Sequence, residues 1–330
     1  MRKHVALLIL CLYKMTALAV AQTPQTVTQQ PQSSATTRPA SIATLIKKTV
    51  GFMRVAYLRE DGPQIAEGTC FFVFYGDKRG GENFGFMYLV TNRHMARPGI
   101  ADGKNYPVLW THVRLNLRNS DQGSEEDVIP IGGQLQWRFP TDDAVDLAIL
   151  PILPDQTKYD YIAIPVSEFA THDVVDTQQV AEGDSVLFTG YFYQFPGLRK
   201  FQPIIREGVL AMMPDEKLDT TLKKPGYLYL ADVHVFGGNS GSPLFVNLGG
   251  LRNGNMMMGT HYELLGIVSG FYHEDSNLKL TVATTLTGTL EQNSGIAMVV
   301  PADELKALLD TPALQAARNA ELAAKKPGKP

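Results

Sequence analysis

Between residues 49 and 152, short apolar runs are separated by clusters of Gly, Asp, Asn and Pro: "TVGFMRVAYL", "GTCFFVFYG", "GFMYLVTN", "VLWTHVRLNL", "GGQLQWRF" and "DLAILPI". The alternation is plainest where Val113, Leu115 and Leu117 are spaced by Arg114 and Asn116, a period of two that turns one face inward. After a connecting stretch near residues 154 to 180 the pattern resumes with "SVLFTGY", "FQPIIREGVLA", "GYLYLADVH", "SPLFVNL", "ELLGIVSGF" and "GIAMVV". Two sets of about six short strands, with no long helical period between them, predict an all-β fold of two packed six-stranded antiparallel barrels. Barrel one is expected over about 42–153 and barrel two over about 180–300. The period then changes. "PADELKALLD" opens with Pro301 at a helix start, and Thr311 followed by Pro312 can cap another helix. A C-terminal helix packed on barrel two is predicted, with residues 312–330 forming a more exposed helical tail that frays at its end.

The first residues follow a different pattern. Arg2, Lys3 and His4 lead an apolar stretch from Val5 to Val20, which ends in "ALAVA". A charged start, an apolar middle and an A-x-A site mark residues 1–21 as a secretory signal, so the protein is expected to be exported, to a periplasm or outside the cell. Lys14 interrupts the apolar stretch and argues against a stable membrane span. Residues 22–41 are Gln, Thr, Ser and Pro with almost nothing to bury, and read as a disordered linker.

With 44% hydrophobic and 19% charged residues, the rest has the composition of an ordinary soluble protein. The net charge of -3 becomes more negative once Arg2, Lys3 and Lys14 leave with the signal. An acidic chain is a poor match for phosphate, so nucleic acid is not an expected partner. Cys11 lies in the signal and leaves Cys70 without a pairing partner, in "GTCFFVF", where a buried small apolar residue is expected. Glycines occur in "DKRGGENFG", but no helix or phosphate-binding lysine follows, and no cofactor is expected. His261, Glu263, His273, Glu274 and Asp275 match no metal-binding spacing, so no metal is expected either. Met256, Met257 and Met258 are expected on a hairpin with a partly buried strand.

Between two strand-like segments lies "VFGGNSGSPLF", too rich in small residues to fill a core. A serine hydroxyl needs a base to take its proton and fixed donors for the oxyanion it creates. Gly238 can adopt unusual backbone angles and bring its N–H beside that of Ser240. A base and a carboxylate stand elsewhere at strand ends: His94 in "YLVTNRHMA" and Asp146 in "DAVDLAILPI".

In the order His, Asp, Ser, the segments "LVTNRH", "DLAIL" and "GNSGSPLF" resemble the catalytic signatures of chymotrypsin-fold, trypsin-like serine proteases. The likeness is to the bacterial HtrA/Deg-like group in particular, without a PDZ domain, and "GIVSGF" resembles that family's substrate-binding strand. The resemblance implies an acyl-enzyme endopeptidase acting on polypeptides. Ser240 would be its nucleophile, His94 its general base and acid, and Asp146 the group that orients the imidazole. Gly238 and Ser240 would supply the oxyanion hole. Ser269 would bond Asp146, and Ser269, Gly270 and Phe271 would receive the substrate as an added strand.

The departures from the family pattern matter too. Asn239 replaces the Asp that binds a new N-terminus in digestive trypsins, which implies activity without propeptide cleavage. His234 stands where trypsins select basic side chains, so cleavage after Arg or Lys is not expected. Ser242 replaces a usual Gly, a change expected to be tolerated. The alternative from another class is a catalytically silent binding protein on the same scaffold.

Overall fold

The computed structural model describes residues 41–118, 126–131, 136–281 and 285–325. The signal and most of the linker expected at the N-terminus lie outside them. The described chain opens with one short helix, α1 (Ile42–Lys47), where the pattern placed the start of barrel one. Ser41 caps it by accepting the Thr44 N–H, and Ile46 is buried.

Strands β1 (Val50–Arg59), β2 (Gly62–Gly76), β3 (Gly85–Thr91), β4 (Val108–Asn116), β5 (Glu126–Ile131) and β6 (Ala148–Pro151) form the first sheet, in the order β5-β4-β1-β2-β3-β6. Neighbours on this path are antiparallel, as hairpins require. The sheet is a curled half-barrel, since its ends β5 and β6 do not pair. A two-residue strand, β7 (Ile164–Pro165), adds to β2 in parallel. Five of the six expected strands coincide with observed ones. The sixth, "GGQLQWRF", is displaced: the strand is β5, just before it, and in the described part of that segment Arg138 makes only an isolated bridge to Ile149. Between β3 and β4 lies the short helix α2 (Arg93–Ala96).

Helix α3 (His172–Thr177) leads into the second barrel. Its elements are β8 (Ser185–Gly190), β9 (Ile204–Met212), the small hairpin β10 (Leu218–Asp219) and β11 (Pro225–Gly226), β12 (Tyr229–Asp232), β13 (Pro243–Asn247), the hairpin β14 (Gly250–Arg252) and β15 (Asn255–Met257), β16 (Tyr262–Thr281) and β17 (Thr285–Pro301). Six of these strands close a barrel in the order β12-β17-β16-β13-β8-β9, with β9 returning to β12. The fold is therefore chymotrypsin-like. Strands β16 and β17 continue pairing well past the barrel, which the short runs "ELLGIVSGF" and "GIAMVV" did not indicate. The methionine hairpin forms, but its strand is not partly buried: Met256 and Met258 are exposed.

One apolar cluster joins the two halves: Phe52, Phe71, Val90 and Leu147 from the first sheet meet Leu187, Phe245, Ile267 and Val300 from the second. Separate clusters fill each half. Cys70 is wholly buried among the first sheet's side chains, and burial pushes its thiol pKa far up, so it is an inert apolar filler.

Two helices close the described chain, α4 (Ala302–Leu309) and α5 (Pro312–Lys325). Residues 312–330 were expected to form an exposed, fraying tail, yet α5 buries Leu314 and Arg318. The Arg318 guanidinium lies 3.9 Å from the centre of the Tyr75 ring and donates to the Leu309 carbonyl at 2.9 Å and the Tyr88 hydroxyl at 3.1 Å. Helix α5 is thus fastened to the first sheet by one buried cation. Arg318→Ala is expected to destabilise the fold by about 2 kcal/mol, since a buried charge-assisted pair and a ring contact go together. Arg318→Lys should recover only part of that, because an ammonium cannot stack as the planar group does. Urea denaturation midpoints test this, and an unchanged midpoint for the alanine variant would contradict it.

Candidate active site

His94 sits in α2, immediately after β3 delivers the chain to the seam between the two halves. Asn92 precedes the helix in extended conformation and donates its side-chain amide to the Asp146 carbonyl at 2.9 Å. Beside it, the buried Arg93 guanidinium donates to the Pro140 and Asp142 carbonyls, bracing the segment that leads to Asp146. Asp146 stands just before β6 with its side chain 1% exposed. Its Oδ1 accepts the His94 backbone N–H at 3.0 Å and its Oδ2 meets His94 Nδ1 at 2.7 Å.

The buried carboxylate gathers further donors. Ser269 Oγ reaches Asp146 Oδ2 at 2.6 Å and Thr221 Oγ1 reaches it at 2.9 Å. Burial alone would raise the Asp146 pKa; the His94 ring and these donors outweigh it and hold the carboxyl below its ordinary range. His94 is the mirror case. Desolvation pushes its pKa down, but the charge and hydrogen bond of Asp146 prevail and raise it above the ordinary 6.5.

Thr221 was not among the residues anticipated from sequence. It belongs to the loop between β10 and β11, 75 residues from Asp146, and nothing in "DTTLKK" distinguishes it from a surface threonine. Its hydroxyl is 2.5 Å from Ser269 Oγ, so the two hydroxyls and the carboxylate form one network. The same residue explains Gly270: a Cβ there would stand 2.4 Å from the Thr221 methyl.

Ser240 occupies the turn between β12 and β13. Its carbonyl accepts the Thr69 N–H at 2.9 Å, and its hydroxyl donates to the Ser269 carbonyl at 3.2 Å. Among the described residues that carbonyl, not the His94 ring, is the partner of the Ser240 hydroxyl. Ser269 therefore touches both halves of the site, Asp146 with its side chain and Ser240 with its backbone. The N–H groups of Gly238 and Ser240 have no partner among the described residues, leaving two donors for an anion.

The run of small residues now has a steric cause. Gly238 has φ +94° and a Cβ on it would lie 2.5 Å from the Tyr191 ring; Gly241 has φ +84° and its Cβ would lie 2.1 Å from the Thr69 carbonyl. Asn239 is buried and satisfied internally, accepting the Phe236 N–H at 2.8 Å and donating to the Tyr191 carbonyl at 2.7 Å.

The remaining anticipated residues are less closely joined to this cluster. Phe271 packs half-buried against the barrel-two core, its ring 4.7 Å from that of His273. His234 is exposed beside Gly295, with its ring 6.4 Å from that of Phe236, and makes no hydrogen bond to His94, Asp146 or Ser240. The sequence pattern suggested no metal site, yet Glu168, His261 and Glu263 bring ligand atoms within 4.8 Å of one another. His261 and Glu263 already pair at 3.0 Å, and none of the three bonds to His94, Asp146 or Ser240.

A family model described as "Trypsin-like peptidase domain" matches residues 68–251, which is more than half of the chain. The chain belongs to the trypsin-like peptidase family. Solved structures similar to this trypsin-like domain include Deg5, at 16% identity and TM-score 0.42, covering 80% of this chain and 88% of that one. Another is the HtrA-type protease AlgW with a decapeptide, at 15% identity and TM-score 0.44, covering 81% of this chain and 65% of that one. No curated protein sequence matches the chain.

Ser242, in place of the usual Gly, is fully buried and its hydroxyl finds no partner among the described residues. An orphaned buried hydroxyl is destabilising. Ser242→Ala is expected to raise stability by about 1 kcal/mol, read as a higher melting temperature; a lower one would show that the hydroxyl is bonded after all.

Proposed function

We propose that this trypsin-like domain is an exported serine endopeptidase that cleaves polypeptides through an acyl-enzyme. The observation that carries the reading is Ser269, whose side chain bonds Asp146 while its carbonyl holds the Ser240 hydroxyl. This one residue links the His94–Asp146 pair to the serine in the glycine turn.

In the proposed reaction the Ser240 hydroxyl rotates from the Ser269 carbonyl toward His94 Nε2 and attacks a peptide carbonyl as the imidazole takes its proton. Asp146, bonded to Nδ1, fixes the ring's tautomer and stabilises its cation. The N–H groups of Gly238 and Ser240 receive the oxyanion. His94 then gives its proton to the leaving amine, and water attacking the acyl-enzyme returns Ser240. The substrate's acyl half adds as a strand beside Ser269, Gly270 and Phe271. Asn239, satisfied by backbone groups, needs no new N-terminal ammonium, so the chain beginning at Gln22 is active without clipping near Ile42. Export follows from residues 1–21. Among the described residues no helix is long and apolar enough to cross a membrane.

A second reading, a silent protease-fold binding protein, draws on the Ser240 hydroxyl resting on the Ser269 carbonyl. Labelling by a fluorophosphonate probe separates the two. One adduct on Ser240, lost in Ser240→Ala and His94→Ala, is expected; a folded protein that takes no adduct would favour the silent scaffold.

The labelling rate should also report His94. Only the neutral ring accepts a proton, so the rate is expected to rise with pH through a midpoint above 6.5, because Asp146 raises the folded-state pKa. The stability that protonated His94 contributes has the opposite trend: full below 6.5, lost as pH rises through the folded value. Asp146→Asn should slow labelling by about 10³ to 10⁴ through the wrong tautomer. A midpoint below 6.5, or a fast asparagine variant, would contradict the assigned roles.

A further inference from the structure

Beside the nucleophile turn lies a cleft of about 620 Å³ that shares the wall Gly237–Asn239 with the site. No residue of the Ser269–Phe271 edge lines it. Its other walls come from the first half of β2, just before Thr69, from the segment after β8, from β9 and from Phe236. With an acyl group lying along Ser269–Phe271 and its carbonyl aimed at the Gly238 and Ser240 N–H groups, the chain beyond the scissile bond runs into this cleft.

The cleft has a distinct chemistry. Ile65, Tyr193 and Phe236 line it while 50%, 66% and 44% exposed, an apolar surface that nothing in the described chain covers. Two charged groups reach it, and they are not equivalent. Glu67 is satisfied, accepting the Tyr191 hydroxyl at 2.9 Å and pairing with Arg54 at 3.1 Å. Arg206 lies over the Phe236 ring at 5.0 Å, its Nε is buried without a partner, and no carboxylate pairs with it among the described residues. The anion is neutralised and the cation is left over. A guanidinium stacked on an aromatic face, with unused donors, is a ready receptor for a carboxylate.

We propose that this cleft is the leaving-group subsite of the protease, that it takes a large apolar or aromatic side chain with an adjacent acidic side chain, and that Arg206 is its specificity-determining residue. The inference rests on the protease reading above. It places selectivity on the side of the scissile bond opposite His234, where the sequence alone directed attention.

Binding to the chain carrying Ser240→Ala tests it without needing turnover. Fluorescent peptides, blocked and amidated at their ends so that only side chains carry charge, share one acyl half and carry Phe-Glu, Phe-Gln, Phe-Lys or Ala-Glu beyond the scissile bond. Phe-Glu is expected to bind about tenfold more tightly than Phe-Lys, and more tightly than Ala-Glu, by fluorescence anisotropy. Adding Arg206→Glu should invert the charge preference while leaving the choice of Phe over Ala. Equal affinity for the three Phe peptides, an unchanged order in Arg206→Glu, or no binding by any peptide would overturn the proposal. Should Arg206→Glu fail to fold, Tyr193→Ser, at an exposed position, keeps the question open to decision: loss of the Phe over Ala preference supports the subsite and its retention sinks it. Fluorophosphonate labelling of the unsubstituted chain does not require the cleft. Labelling without peptide discrimination ends this inference alone; discrimination without labelling ends the protease reading and with it the leaving-group assignment, leaving the cleft as a peptide-binding site only.

Discussion

Thr69 belongs to the first sheet, yet it sets the position of the serine in the second. Its N–H donates to the Ser240 carbonyl, and its hydroxyl donates to the Gly238 carbonyl while accepting the Tyr191 N–H. Its carbonyl is held in turn by the Thr91 hydroxyl, three residues before His94. One fully buried residue thus ties the glycine turn, the segment after β8 and the strand that delivers the histidine. Two halves packed only by apolar contact would hold their relative position less tightly than an active site needs; directional hydrogen bonds at the seam fix it. The glycines follow from this constraint. A turn drawn so close that the Thr69 carbonyl would overlap a Cβ at residue 241 admits only glycine there.

Around Asp146 the same principle acts through charge. A carboxylate taken out of water is costly unless donors replace the lost hydration. Asp146 is given the His94 N–H and ring, Ser269 and Thr221, drawn from α2, from β16 and from the β10–β11 loop. Each donor lowers the cost of burial, and together they make the buried anion a hub that both halves of the fold must reach. The histidine's raised pKa is the other face of that arrangement: the buried anion beside Nδ1 stabilises the imidazolium.

Much of this could be read from the sequence because its signals are local. A period of two marks a half-buried strand regardless of what it packs against, and eleven of the twelve expected strands were placed that way. His94, Asp146 and the Ser240 turn each stood at a strand end with a short, distinctive neighbourhood. What escaped detection depends on distant pairing. Thr221 is an ordinary loop threonine until folding brings it to Asp146. Arg318 looks like one more cation on a polar helix until the Tyr75 ring, the Tyr88 hydroxyl and the Leu309 carbonyl surround it. The displaced strand β5 holds Pro130 and opens on acidic residues, so its own composition argued against it. The extension of β16 and β17 beyond the barrel passes through polar stretches, "HEDSN" and "EQNS", which no apolar run marks as strand.

The glycine turn that carries Ser240 also divides the surface around it. On one side, a strand edge presents backbone groups, which under the proposed function would take an extended polypeptide without reading much of its sequence. On the other, the cleft offers apolar walls and the Arg206 guanidinium, which no carboxylate pairs among the described residues; these are side-chain features. The two sides recognise different things because they are built from different material: the first is the continuation of a barrel strand, the second a junction of β2, β9 and the segment after β8. Ser240 stands between them because Thr69 holds it there. On the proposed reading, general affinity for extended chain and selective contact with particular side chains are thereby separated in space, and the second can vary without disturbing the hydrogen bonds that place Ser240.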